Sequence, residues 1–256
     1  MLFTCIPNCT IAGGLLRVAH ALEYGGAETL NPYDPNRFTP TISYIYSRLV
    51  RPDENDIPSP DLALSWSSNP TATIWTFKLR TGVTFHNGDD FDARDAAYSF
   101  NFMLDPAVDS PLISTLGIID HTEIIDRYTV ALHLQSAHAD FPILLMDYRA
   151  RMIPEGSGPS IGETGIGTGP FKLKQNDPEG ITRLFANNAY FLGPPKLDGV
   201  EIFAINDANA QMQAFLSGQL DHIGGVSPRL AVLFRGNENY YIHNFPTAAM
   251  NTNVVR

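Results

Sequence analysis

The chain has 256 residues, with 17 Lys+Arg against 27 Asp+Glu, a formal net charge of −10 and 44% apolar residues. That composition supports a buried core and excludes disorder, which needs low hydrophobicity with high charge. The absence of a basic cluster disfavours nucleic acid as a partner, and no run of 18 apolar residues offers a membrane-spanning helix.

The first residues, Met1-Leu2-Phe3-Thr4-Cys5-Ile6-Pro7, are apolar but lack a basic region and are too short for a complete signal peptide. Residues 1–13 therefore read as a residual or mis-started segment. Cys5 and Cys9 are the two cysteines. Their C-x3-C spacing is open to a disulfide, a metal pair or neither, and no second ligand pair follows.

Residues 15–19 read as a buried strand. Asn31-Pro32-Tyr33-Asp34-Pro35 is a turn, because proline fixes φ and Asn and Asp bond their own backbone. The spacing of Ile42, Ile45, Tyr46 and Leu49 predicts a helix over 41–50. A proline-rich loop follows, then a hairpin of strands 62–68 and 73–79 turned at Asn69-Pro70. In its second strand Trp75, Phe77 and Leu79 share one face, and Ile74, Thr76 and Lys78 the other. Trp66 and Trp75 read as core. Phe85-His86-Asn87-Gly88 is a second turn.

Asp92, with Asp95 three residues on, predicts a capped helix start, and Ala96, Phe100, Met103 and Leu104 form its apolar stripe. Asp105-Pro106 ends it. Strands are expected at 121–125 and 128–134, a short apolar segment at 141–146 and a glycine-rich stretch at 155–170. Further strands are expected at 171–175, 181–186 and 200–205. Asp207 caps a helix that Gly218 closes at the C′ position. A strand at 220–223, a short helix at 228–234 and a strand at 240–245 complete the pass. Hairpins interrupted by single helices predict a mixed α/β protein without strict βαβ alternation.

Few motifs suggest chemistry. His86 and His121 stand alone, and His133 and His138 lie five apart, so ordinary surface or capping histidines are the simpler reading. Gly165-Ile166-Gly167-Thr168-Gly169 lacks a following G-K-[ST], and Pro170 offers no amide, so it is a close-packed or bending loop rather than a phosphate cradle. The acidic pairs sit in turns. Aromatic residues in loops, among them Tyr33, Phe38, Tyr44 and Tyr148, could wall a small-molecule site or simply pack.

Residues 62–100 carry a more specific pattern. Leu62-Ala63-Leu64-Ser65-Trp66 is followed by Phe77-Lys78-Leu79-Arg80-Thr81-Gly82-Val83-Thr84-Phe85-His86-Asn87-Gly88 and the acidic helix start at Phe91-Asp92. This resembles the signature of the family-5 solute-binding proteins of ABC transporters, the oligopeptide, dipeptide and nickel-binding group. The resemblance extends from about residue 14 to 253. It includes Leu30-Asn31-Pro32, Gly167-Thr168-Gly169-Pro170-Phe171, and Asn188-Ala189-Tyr190-Phe191 for an N-x-x-Y element. It continues through Lys196-Leu197-Asp198-Gly199-Val200, Gly218-Gln219-Leu220-Asp221 and Asn251-Thr252. Met250 departs from the usual residue before Asn251, and Arg94 with Asp95-Ala96 varies the helix start.

The resemblance implies a periplasmic-binding-protein-like (type II) lobe one, with mixed β-sheets and flanking helices and the second lobe missing. Residues 14–250 would form that lobe, with 14–50 and 165–250 as the core sheet region and 51–164 as an inserted subdomain. Residues 251–256 would begin the hinge. The implied function is substrate capture for an ABC importer of peptides or related small solutes, in truncated form; the alternatives are a degenerate non-functional fragment or an α/β hydrolase-type enzyme. It further implies an exported, periplasmic or cell-surface monomer that works with permease and ATPase subunits. No catalytic residue, cofactor or metal is expected. Ligand-binding candidates are Asp34, Phe38, Tyr148, Arg149, Gly167, Thr168, Gly169 and Asn251. Arg149 enters because the corresponding segment of nickel-binding relatives carries a ligand-facing arginine. With one lobe alone, weak or no ligand binding is expected.

Overall fold

The structure is a computed structural model that describes residues 13–20, 26–35, 40–224, 226, 232–245 and 251–255. Cys5, Cys9, Phe38 and the first part of the helix expected at 228–234 lie outside the described residues.

In chain order, β1 (Leu15–His20) is followed by the one-turn helix α1 (Ile42–Ile45), the ribbon β2 (Val50–Pro52) and β3 (Pro58–Pro60), and the hairpin β4 (Ala63–Ser68) and β5 (Ile74–Leu79). Helix α2 (Ala93–Met103) and the short α3 (Ile113–Leu116) precede β6 (Ile119–Asp126) and β7 (Thr129–Leu134). The short helices α4 (Phe141–Leu144) and α5 (Ile161–Thr164) lead to β8 (Phe171–Gln175), β9 (Ile181–Ala186) and β10 (Gly199–Ala204). Helix α6 (Ala208–Leu216), β11 (His222–Ile223), a 3-10 turn at Val232–Phe234, β12 (Tyr241–Phe245) and β13 (Asn251–Val255) follow. Among the described residues no helix is long and apolar enough to cross a membrane.

The helix expected over 41–50 is cut to one turn. Thr41 makes no side-chain cap, and Tyr46 turns extended at φ −113°, ψ 145°. Arg48 then bridges antiparallel to Arg151, and Val50 enters β2. The apolar spacing that looked helical instead places Ile42, Ile45, Tyr46 and Leu49 in the core, because tertiary pairing outweighs a helix too short to hold itself.

The chain divides into two compact units. The first comprises Glu28–Leu173 and Ala186–Pro195. Its sheet is antiparallel in the order β4-β5-β7-β6. Trp75 lies opposite Leu132 and Phe77 opposite Val130, so these four share one face. The other face carries Thr76, Ala131 and Glu123 in one row and Ile74, His133 and His121 in the next. Helix α2 packs on β6 and β7 with Ala96, Phe100 and Met103 fully buried. Trp75 is core as expected and donates Nε1–H to the His138 carbonyl at 3.2 Å. Trp66 is only half-buried, because β4 is an edge strand of this sheet.

The second unit comprises the segment around β1, Lys174–Phe185 and the described residues from Lys196 onward. Its strands belong to a sheet of order β12-β13-β11-β1-β10-β9-β8, in which β1 runs parallel to β10 and β11. Phe215, Leu220, Ile223 and Phe234 form its buried cluster. The Phe215, Phe234 and Tyr240 rings lie 5.0–5.7 Å apart, within aromatic pairing range. Asp198 and Asp221 pin β1 at its two flanks. Asp198 accepts the Gly14 amide at 2.8 Å, and Asp221 holds Arg17 through Nε at 2.9 Å and Nη2 at 2.6 Å.

Candidate functional site

Residues 43–46 are the platform on which the candidate segments of the first unit meet. The glycine-rich loop arrives from one direction. The Gly169 amide donates to the Ile45 carbonyl at 2.8 Å. A Cβ on Gly167 would stand 2.2 Å from that oxygen, and one on Gly169 would stand 2.6 Å from the Tyr44 and Ile45 carbonyl oxygens. Glycine is required at both positions by close backbone approach.

His86 clamps the same loop. Its amide donates to the Gly167 carbonyl at 2.8 Å. Its Nδ1 accepts the Gly167 amide at 3.4 Å, and its Nε2 lies 3.0 Å from the Gly169 carbonyl oxygen. Those partners assign the neutral tautomer with the proton on Nε2. Burial agrees, pushing the imidazole down to about 4. Asn187 adds a second donor to the Gly169 carbonyl, from Nδ2 at 3.0 Å, and its own amide donates to the Pro170 carbonyl at 2.8 Å. The asparagine that carries the N-x-x-Y element is thus the buried Asn187, not Asn188. Thr168 has no exposed surface, and its Oγ1 finds no hydrogen-bond partner among the described residues. The backbone groups of Gly167 and Gly169 named above are engaged within the protein.

The Asp147–Arg151 segment reaches the platform from another direction. The Arg151 guanidinium donates from Nη1 to the Tyr46 carbonyl at 2.8 Å, from Nη2 to Ser43 Oγ at 3.2 Å and from Nε to the Tyr148 carbonyl at 2.6 Å. The Tyr33 hydroxyl donates to the Arg151 carbonyl. Arg151 is 5% exposed, and its burial, with the nearby Arg48 charge, pulls its guanidinium down to about 9. Asp61 is also buried, accepts the Arg48 amide at 2.9 Å and has its carboxyl pushed up by burial. Buried arginine here is held chiefly by carbonyl oxygens, whose fixed dipoles replace lost water.

Arg151 therefore fixes the peptide that carries Tyr148 and Arg149. Tyr148 is 45% exposed, and the Arg149 guanidinium lies 5.3 Å from the centre of its ring. The Arg149 amide donates to Asp147 Oδ1 at 2.8 Å, which shapes the turn. Asp34 is half-buried, one residue beyond Tyr33, in a turn built on Asn31. The structure thus brings Tyr148, Arg149 and the Asp34 turn together through Tyr33 and Arg151, and Gly167, Thr168 and Gly169 onto the same platform. Asn251 begins β13 in the second unit, opposite Phe245. Phe38 lies outside the described residues. Sequence reasoning missed Arg151 and the clamping role of His86. Their signals were an arginine two residues from a candidate, and a histidine inside the F-H-x-G run. Among the described residues, no group of three or more His, Cys, Asp or Glu is arranged to hold a metal ion.

Comparison with known proteins gives a consistent picture. A family model described as bacterial extracellular solute-binding proteins, family 5, middle region, matches residues 58–254. Di/tripeptide-binding protein 2 of Pseudomonas aeruginosa (strain UCBPP-PA14) is 29% identical over 216 residues, covering 71% of this chain and 40% of that protein. Among solved structures, NikZ from Campylobacter jejuni in complex with Ni(L-His) superposes with a TM-score of 0.79 at 25% identity, over 90% of this chain and 47% of that one. The PBP/SBP MoaA in complex with mannopinic acid, from A. tumefacien R10, gives a TM-score of 0.80 at 28% identity, over 91% and 49%. The chain spans about two fifths of the length of the curated relatives it matches and about half of the solved chains. The curated relative named above is described as a binding protein.

Proposed function

The chain belongs to the bacterial extracellular solute-binding proteins of family 5, and from that premise we propose that it serves substrate capture for an ABC importer of peptides or related small solutes. The observation that carries this reading is the fold shared over nine tenths of the chain with proteins solved around small solutes. In this reading the protein performs no chemistry. It works outside the cytoplasm and hands the solute to permease and ATPase subunits.

We place the solute contact on Tyr148 and Arg149, with Asp34 as a neighbouring acidic group. Tyr148 presents an exposed ring, and Arg149 offers a forked donor suited to a carboxylate. Gly167, Thr168 and Gly169 enter as the loop that supports the platform, not as direct donors.

The test is saturation-transfer NMR with a set of di- and tripeptides on the 256-residue chain. Binding weaker than micromolar is expected, and Arg149→Ala should weaken it by about tenfold or more, the worth of one charge-assisted pair. Transfer to peptides that is unchanged in Arg149→Ala would overturn this assignment.

A further inference from the structure

On the face of the β4-β5-β7-β6 sheet opposite Trp75 and Phe77, two histidines stand directly across from each other. His121 on β6 pairs with His133 on β7, and their rings stack at 4.2 Å between centroids and 14° between planes. Each ring is bonded to a carboxylate. His121 Nδ1 lies 2.8 Å from Asp120 Oδ2, and His133 Nε2 lies 2.7 Å from Glu123 Oε2. An ionised carboxylate only accepts, so each of these ring nitrogens carries the proton. The lone pairs then sit on His121 Nε2 and His133 Nδ1.

A metal-binding imidazole characteristically gives its other N–H to a carboxylate, which fixes the tautomer and raises the basicity of the ligating nitrogen. Here two imidazoles are prepared in that way side by side. Two nitrogens bound to one ion at roughly 2.0–2.1 Å would lie about 3 Å apart, against 4.2 Å between the ring centroids here. Stacked rings direct their in-plane lone pairs side by side, so binding one ion requires both rings to turn about their side-chain bonds. His121 is more than half exposed, so ions reach the pair from solvent.

We propose that His121 and His133 form a two-imidazole clamp for a divalent transition-metal ion, with water completing its coordination. Imidazole selects Cu(II), Ni(II) and Zn(II) over Mg(II), and the affinity order should place Cu(II) first. The clamp is independent of the solute-binding reading above, since neither histidine belongs to the Tyr148 and Arg149 segment.

The experiment is titration of the untagged 256-residue chain with Zn(II) and Cu(II), by calorimetry and by electron paramagnetic resonance of the Cu(II) form. One site per chain is expected, with hyperfine structure from two nitrogens and no competition from Mg(II). His121→Gln and His133→Gln should each weaken binding by more than tenfold. Glu123→Gln, which keeps both ligands and removes only the carboxylate behind His133, should weaken it by about tenfold. Circular dichroism of each variant checks that the hairpin still folds. Affinity unchanged in both histidine variants, a signal from fewer than two nitrogens, or competition by Mg(II) would each overturn the proposal.

Discussion

Burial holds the His86 imidazole neutral down to about pH 4, whereas an ordinary histidine takes up its proton near 6.5. Between those values the unfolded chain binds more protons than the folded one, so folding stability falls as pH falls. The full difference is worth about 3 kcal/mol, complete once pH reaches the folded value. Asp61 and Asp95 act in the opposite sense, because burial raises their carboxyls and the folded chain protonates them first. Comparison with a variant isolates the imidazole. Denaturant unfolding of the native chain and of His86→Gln, followed from pH 7 to pH 4, should show the native chain losing more stability than the variant. Parallel curves would contradict the clamp. In the sequence His86 was one histidine in a turn, with no ligand spacing around it. Its partners Gly167 and Gly169 lie some eighty residues away, which no local pattern reports.

At the scale of elements, α2 was the most readable part of the chain. Asp92 accepts the Arg94 amide at 2.8 Å, and Asp95 Oδ2 accepts the Asp92 amide at 2.8 Å, the capping box expected from the spacing. The same Asp95 accepts the Glu155 amide at 2.9 Å through Oδ1, and Ser99 Oγ accepts the Ile153 amide at 2.9 Å. The helix start thus also anchors the chain entering the glycine-rich stretch. Asp92→Ala is expected to cost about 1–2 kcal/mol in denaturant unfolding, since it removes a cap that is itself buried. A loss under about 0.5 kcal/mol would mean that water replaces the cap. Helix α1 shows the opposite case. Its apolar spacing was genuine, but five residues from the cap Arg151 takes the Tyr46 carbonyl and Arg48 pairs with Arg151. The extended path after Tyr46 is imposed from outside the segment.

For the whole molecule, each unit has its own buried cluster. In the second unit Phe215, one of three mutually packed aromatic rings, has no exposed surface. Phe215→Ala should cost about 3–5 kcal/mol, the range for removing a buried aromatic side chain. Hydrogen exchange should show the protection of β1, β10, β11 and α6 falling most, because these elements surround the cluster. Uniform loss across β5, β7 and α2 as well would mean that both units open as one.

Strand alternation, capping pairs and glycine positions are local properties, set by the periods of two and 3.6 residues and by backbone freedom. The chain by itself therefore determined the mixed α/β class, most of the strands, α2 and α6 with their caps, and the family resemblance that the comparisons support. Which groups share a site depends on contacts between distant residues. Only the tertiary structure decided that Arg151 holds the Tyr148–Arg149 turn, that Gly167 and Gly169 serve close packing, and that His121 and His133 stack across two strands. Burial and hydrogen-bond satisfaction are properties of the assembled fold, and no stretch of sequence carries them alone.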